Sequence, residues 1–401
     1  MNRGKQFWAG VLAGLLAATV MVGLTFFGSR LHMLITGRGS SSSMLIDDKV
    51  QSKLDMINST IDKYYVEYDE NLSTTSRTEG MYKGLVDSLG DPYSEYYTYD
   101  EFNAAMEEDE GKFEGIGVEI AEDKETGEFY VAGFLPNSAA QAEGMAIDDI
   151  FFAVDDDPVE DETINEMVKR IRGEEGTTVK LEMLRGEERE HITFNVIRAV
   201  VQVRSVSSNM MDDGIGYMHI SSFDQVTYEQ FMNELEDLQS GGMKKLILDL
   251  RSNPGGDVDV TLKIADEILG DARIVYTKDK EGREKDYDSD DKKKLDIPIV
   301  VLVNGYSASA SEILTGALKD NHVAKVVGTT TFGKGIMQTI LPFTDGTAIK
   351  LTSHRYYTPS GVNIQGVGIE PDVEIEFDSE AYDKTGEDNQ LKEAEKIIRG
   401  M

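Results

Sequence analysis

Two uninterrupted apolar runs limit what this chain can fold into. KKLILDL (Lys244–Leu250) and PIVVLV (Pro298–Val303) place apolar side chains at odd and even positions alike, so as strands they need cover on both faces. Amphipathic segments alternate with them, VTLKIADEIL (Val260–Leu269) and SEILTGALKD (Ser311–Asp320). Buried strands alternating with helices read as an α/β core of crossover units, beginning near Val201.

The chain before that core has a different rhythm. Asp47 to about Glu110 shows helical spacing, with Val50, Leu54, Ile57 and Ile61 on one stripe, broken by the turn signal Gly90-Asp91-Pro92. From Phe113 to about Ala199 come short strands: GIGVEI (Gly115–Ile120), FYVAGF (Phe129–Phe134), DIFFAV (Asp149–Val154), TVKLEML (Thr178–Leu184) and HITFNVI (His191–Ile197). One helix, INEMVKRIRG (Ile164–Gly173), interrupts them. Later, Glu281–Leu295 is so charged that it reads as a solvated loop, and Asp388–Arg399 reads as a helix with Leu391, Ala394 and Ile398 on one face.

At the start of the chain, Arg3 and Lys5 precede an uncharged run, Phe7–Phe27. Its 21 residues suffice to cross a ~30 Å hydrocarbon core as a helix, and the basic flank favours a cytoplasmic N-terminus. The expectation is a single-pass cell-membrane protein: residues 1–6 cytoplasmic, 7–27 a transmembrane anchor, 28–45 a linker, and the rest extracytoplasmic. A cleaved signal peptide is the alternative, but its apolar stretch is usually ~7–15 residues.

Composition removes several chemistries. Among 401 residues, 40 are Lys or Arg and 74 are Asp or Glu, a formal charge of −34. Such a chain offers little to a phosphate backbone, so nucleic acid is not an expected partner. Without Cys there is no disulfide, thiolate metal site or Cys nucleophile, and no two of the five His stand at i, i+4. No metal or other cofactor is expected.

Three segments carry candidate chemistry. In NGYSASASE (Asn304–Glu312), Ser309 stands where a strand turns into a helix. Ser309-x-x-Glu312 fits an ordinary capping box, yet a helix N-terminus also suits a nucleophile, because free N–H groups there stabilise an oxyanion. Spacing alone does not separate Ser309 from Ser307 and Ser311. The second segment, GTTTFGKGIMQ (Gly328–Gln338), holds Lys334 between two glycines. It mimics a phosphate loop until Gly335, where Ser or Thr should bind Mg²⁺, and IMQTILPF then reads as strand. The third, DLRSNPGG (Asp249–Gly256), can aim a bare glycine amide at a ligand. His322 and Asp320 could complete a Ser–His–Asp set, but no G-x-S-x-G elbow is present.

Together these segments resemble the carboxyl-terminal processing peptidases, tail-specific Ser/Lys proteases that carry a PDZ domain. GDPYSEYY (Gly90–Tyr97), the FEGIGVEI loop, LRSNPGG, YYTPSG (Tyr356–Gly361) and IQGVGIEPD (Ile364–Asp372) fall in that family's order. The resemblance implies Ser309 as nucleophile, Lys334 as base, Gln338 as the residue orienting the lysine, and an oxyanion hole from the amides of Ala310 and of one glycine in the Gly255–Gly256 pair, Gly255 preferred. It implies a multidomain α/β protein: the membrane helix, a helical region (46–112), a PDZ-like β-rich domain (113–199), an α/β protease core of crotonase-like type (200–380) and a C-terminal helix (381–401). Gly115, Ile116, Gly117 and Val118 stand where a PDZ domain binds a peptide's terminal carboxylate by backbone N–H groups. The expected activity is that of a bacterial membrane-anchored endopeptidase cutting proteins near their C-termini, as a homodimer built through the terminal helices. A catalytically silent PDZ adaptor is the alternative. Two departures from the pattern stand out: Val362-Asn363 after YYTPSG, and Ile147-Asp148-Asp149 without the usual glycine.

Overall fold

A computed structural model describes residues 46–66, 74–124, 126–160, 162–290, 292 and 294–401. The expected anchor at 7–27 and its flanks at 1–6 and 28–45 lie outside these residues. Among the described residues no helix is long and apolar enough to cross a membrane. The chain divides into two units, residues 1–76 and 77–401.

In the first unit, the helix Asp48–Tyr64 starts where the Asp47 side chain accepts the amides of Lys49 and Val50, at 3.0 and 2.8 Å. The expected stripe is present, but none of the helix's residues is buried.

The second unit contains three sheets and a connecting ribbon. Five antiparallel strands in the order 118–122, 129–134, 150–154, 178–185, 190–197 wrap a core that includes Val131, Met167, Leu181 and Met183. GIGVEI is not the single strand expected. Lys112–Gly115 pairs with Ala199–Gln202 as a separate two-stranded ribbon, Gly117 turns at φ +77°, and Val118 starts the sheet. Where the usual glycine is missing, Asp148 itself adopts φ +68°. Asp149 behind it is buried and held by Arg185 at 2.6 and 2.7 Å.

The core sheet runs Val206–Met210, Ile215–Ile220, Lys245–Asp249, Ile299–Val303, Ala324–Gly328 and Val373–Glu374, parallel after the first pair. It is covered on both faces, as the apolar runs demand. Leu246 and Leu248 face the helices Thr227–Ser240, Val258–Ile268 and Ala310–Asp320, while Ile247 packs against Ala394 and Ile398 of the helix Asn389–Gly400.

The third sheet holds two surprises. Glu284–Ser289, read as solvated loop, is a strand paired antiparallel with Ala272–Asp279; as an edge it keeps its charges in water. Glu95–Tyr97, inside the region expected to be helical, is a strand paired with Ala348–Tyr357. Tyr96 and Tyr97 are buried there, so tertiary pairing overrides local spacing.

Candidate active site

The strand Ile299–Val303 ends in a tight loop that delivers Ser309 to the first turn of the helix Ala310–Asp320. The three serines of that loop have different surroundings. Ser307 and Ser311 are fully buried, and their hydroxyls donate to the carbonyls of Leu250 (2.8 Å) and Asn253 (3.0 Å). Ser309 adopts φ +54°, ψ −112°, a strained conformation for a residue with a Cβ. Its amide donates to Glu312 Oε2 at 2.9 Å, the acid's half of the expected capping box. Its hydroxyl stands in the capping-box position over the Glu312 amide, but that amide donates to the Ser309 carbonyl at 2.9 Å; Ser309 also lines a cavity of about 500 Å³.

Lys334 lines the same cavity. Its loop is pressed against residues 363–368, where a Cβ on Gly333 would lie 2.9 Å from the Gly368 nitrogen and one on Gly335 2.6 Å from that of Gln365. Only glycine allows that approach. The fully buried Glu312 carboxylate anchors the loop, accepting from Thr331 Oγ1 (2.6 Å) and from the amides of Gly333 (2.7 Å) and Lys334 (2.8 Å). Lys334 Nζ sits 4.9 Å from the Tyr93 ring centroid and makes no hydrogen bond or ion pair among the described residues. Burial and then the charge of Lys350 push its pKa down, against the opposing pull of Asp91 and Glu312. Gln338 also lines the cavity, but its amide donates to Thr352 Oγ1 at 3.2 Å and not to the lysine.

Beside Ser309, the DLRSNPGG turn is fixed by fully buried Asn253, whose amide donates to the Ile220 carbonyl at 2.9 Å. Asn253 Oδ1 accepts the Gly255 amide at 2.8 Å. That engages the Gly255 amide, the donor expected for an oxyanion hole. The Gly256 and Ala310 amides have no acceptor among the described residues, and Gly256 lines the cavity. Gly255 has a different necessity. At φ +105°, a Cβ there would lie 2.8 Å from Ser309 Cβ. His322 and Asp320 are not among the cavity's lining residues; Asp320 accepts the Ser360 amide at 2.9 Å, a structural tie.

A second cavity, about 200 Å³, runs between the strand Val118–Glu122 and the helix Ile164–Ile171, lined in part by Ile116, Val118, Ile120 and Val168. The strand is at the edge of its sheet, so one side of its backbone is open to a further strand. The amides of Ile116 and Gly117 at the head of this groove have no acceptor among the described residues, while their carbonyls are taken by Ala140 and Leu135 at 3.1 and 3.0 Å. Gly115 takes part in the ribbon instead, opposite Ala199.

Sequence reasoning gave Glu312 only a cap and did not single out Tyr93, Asn253, Lys350 or Tyr356. The buried Tyr356 hydroxyl reaches the carbonyls of Lys334 and Ser309, the latter at 3.1 Å. Each lies in or beside a distinctive segment, which was the available signal, but its role depends on a contact remote in sequence.

Residues 214–375 match the family model described as Peptidase family S41, and residues 105–184 match the model of the PDZ domain. The chain is 31% identical over 384 residues to the carboxy-terminal processing protease CtpA of Bacillus subtilis, covering 93% of this chain and 82% of that one. It is 34% identical over 306 residues to a carboxy-terminal-processing protease of Bartonella bacilliformis, covering 74% and 69%. A solved Bacteroides fragilis structure assigned to the S41 proteases shares the fold, with a TM-score of 0.51 at 16% identity over 86% of this chain and 97% of that one.

Proposed function

The chain belongs to peptidase family S41 and is a serine protease of the carboxy-terminal processing kind, and on that premise we propose that Ser309 and Lys334 are its catalytic dyad. The observation that carries this is the one cavity that both residues line, where among the described residues the Ser309 hydroxyl donates to no carbonyl and the half-buried Lys334 has no acceptor. A neutral Lys334 takes the proton of Ser309 Oγ as that oxygen attacks the peptide carbonyl. The tetrahedral oxyanion is met by the amides of Gly256 and Ala310. Collapse releases the new C-terminal fragment with a proton returned from Lys334, and water then attacks the acyl-enzyme.

Substrates, in this reading, are proteins held by their free C-terminus. The tail adds a strand to the edge Val118–Glu122, and its carboxylate meets the unengaged amides of Ile116 and Gly117. The uncharged run Phe7–Phe27 anchors the enzyme in the membrane with its catalytic unit outside the cytoplasm, and the uncovered stripe of Asp48–Tyr64 supports pairing of two copies through terminal helices. The test of the dyad is casein cleavage by the full-length chain in detergent. Ser309→Ala and Lys334→Ala should each fall to background, and the double variant should be no worse, because groups acting as a unit are not additive. Full activity in Lys334→Ala would remove the dyad; an inactive parent would favour the adaptor.

A further inference from the structure

The cavity contains a second lysine that the dyad leaves unused. Lys350, on the strand Ala348–Tyr357, lines it together with Ser309, Lys334 and Gln338. Its position is set by the short strand Glu95–Tyr97, in which Glu95 stands directly opposite Lys350. Lys350 Nζ donates to the Tyr97 hydroxyl at 2.6 Å and pairs with the Glu95 carboxylate at 3.3 Å. Lys334 Nζ has only the ring face of Tyr93 from the same segment. One lysine is therefore supplied with an acceptor and an ion-paired carboxylate, while the other has no hydrogen bond or ion pair among the described residues.

We infer that Lys350 is a positioning residue for the reaction: a cation clamped by Tyr97 and Glu95, which keeps the Lys334 amine unprotonated and ready to receive the Ser309 proton. This rests on the dyad reading above. Two ammonium groups in one cavity repel, and the one without partners gives up its proton. Burial works against the charge on Lys350, yet Tyr97 and Glu95 together hold its pKa above the ordinary lysine value. For Lys334, burial and the charge of Lys350 act in the same downward direction. The carboxylates pulling the other way are already engaged. Asp91 accepts from the Tyr93 amide (3.1 Å) and Ser94 Oγ (2.6 Å), and Glu312 from its four donors. Asp109, Asp257 and Asp259 also line the cavity, along with Tyr287 and Tyr356. The fixed cation opposes their field.

The experiment is the pH profile of kcat/KM for one peptide substrate, measured with the full-length chain in detergent. Lys350→Met should move the rising limb to higher pH, lowering kcat/KM about tenfold on the slope while keeping the alkaline plateau. Lys350→Arg, which keeps the charge, should leave the limb in place. Limb position does not depend on how much enzyme is folded, and Lys350→Gln carries the same expectation if the methionine variant yields no protein. An unmoved limb in the neutral variant, or an equal displacement in Lys350→Arg, overturns the inference while leaving the dyad intact. Lys334→Ala with parental activity overturns the dyad, and this inference with it.

Discussion

Ser309 and Lys334 are joined through their backbones twice. Both amides donate to Glu312 Oε2, at 2.9 and 2.8 Å, and both carbonyls lie within reach of the Tyr356 hydroxyl. Burial and the charge of Glu312 hold the Tyr356 pKa well above its ordinary value, so the phenol keeps the proton it donates. Two loops separated by more than twenty residues thus present their side chains to one cavity from a shared frame.

That frame predicts a coupled loss of stability and activity. Glu312→Ala strands four donors, two of them in buried hydrogen bonds, at about 1–3 kcal/mol each, so the loss should exceed about 3 kcal/mol. Tyr356→Phe, which keeps the ring, should cost only about 0.5–1.5 kcal/mol but lower kcat more than it raises KM. Urea denaturation alongside steady-state kinetics checks both; an unchanged midpoint in Glu312→Ala would sink the frame.

Activity should rise with pH. In the proposed dyad the competent form of Lys334 is the neutral amine, whose fraction grows as pH climbs through its pKa, and burial and Lys350 set that pKa below the ordinary lysine value of about 10.4. Gln338→Glu adds a carboxylate to the same cavity, which favours the ammonium and should move the kcat/KM limb upward. A limb that stays put or falls would show that residue 338 does not act on the lysine.

Gly255→Ala should disable the enzyme although both dyad residues are retained. The new Cβ would lie 2.8 Å from both Ser309 Cβ and the Ala308 carbonyl oxygen. Displacing the nucleophile by even part of an ångström should lower kcat by about 10²-fold. Reaction of Ser309 with a fluorophosphonate probe gives an independent reading. Parental labelling and turnover together would show that the loop absorbs the methyl group.

A tail peptide with a free C-terminus should bind more tightly than its amide. The groove's Ile116 and Gly117 amides can take a carboxylate, whereas a terminal amide brings no charge and adds donors facing donors. Loss of one charge-assisted hydrogen bond, about 1.5–3 kcal/mol, corresponds to roughly tenfold or more in Kd. Fluorescence anisotropy with the Ser309→Ala protein measures this, and cleavage by the parent shows whether binding feeds the active site. Equal affinities would leave Gly115–Val118 as a plain entry to a strand.

Several parts of this protein are written locally in its chain. Leu246-Ile247-Leu248 and Ile299–Val303 leave a sheet no option but cover on both sides, because every side chain in them needs an apolar neighbour. Gly333 and Gly335 flank Lys334 because their backbones touch residues 363–368, where no Cβ fits. Other parts were misread for an equally physical reason. Glu284–Ser289 looked like loop because edge strands tolerate charge, and Glu95–Tyr97 read only as a break in a helical region because its pairing partner lies some 250 residues on.

By itself the sequence determined the α/β core, the compact strand-rich unit before it, and the short set of residues from which a serine nucleophile and a lysine base could come. Tertiary structure alone gave them different surroundings. Ser307, Ser309 and Ser311 are equivalent in spacing, and only the carbonyls of Leu250 and Asn253, brought in from another strand end, occupy two hydroxyls and leave the third. Gly255 and Gly256 are adjacent and chemically identical, and the Asn253 side chain engages one amide and spares the other. Lys334 and Lys350 are the same residue type, separated by the partners that Glu95–Tyr97 supplies to one of them. Hydrogen bonds and burial act through space, and residue types in a row carry no record of which distant group will arrive at 3 Å.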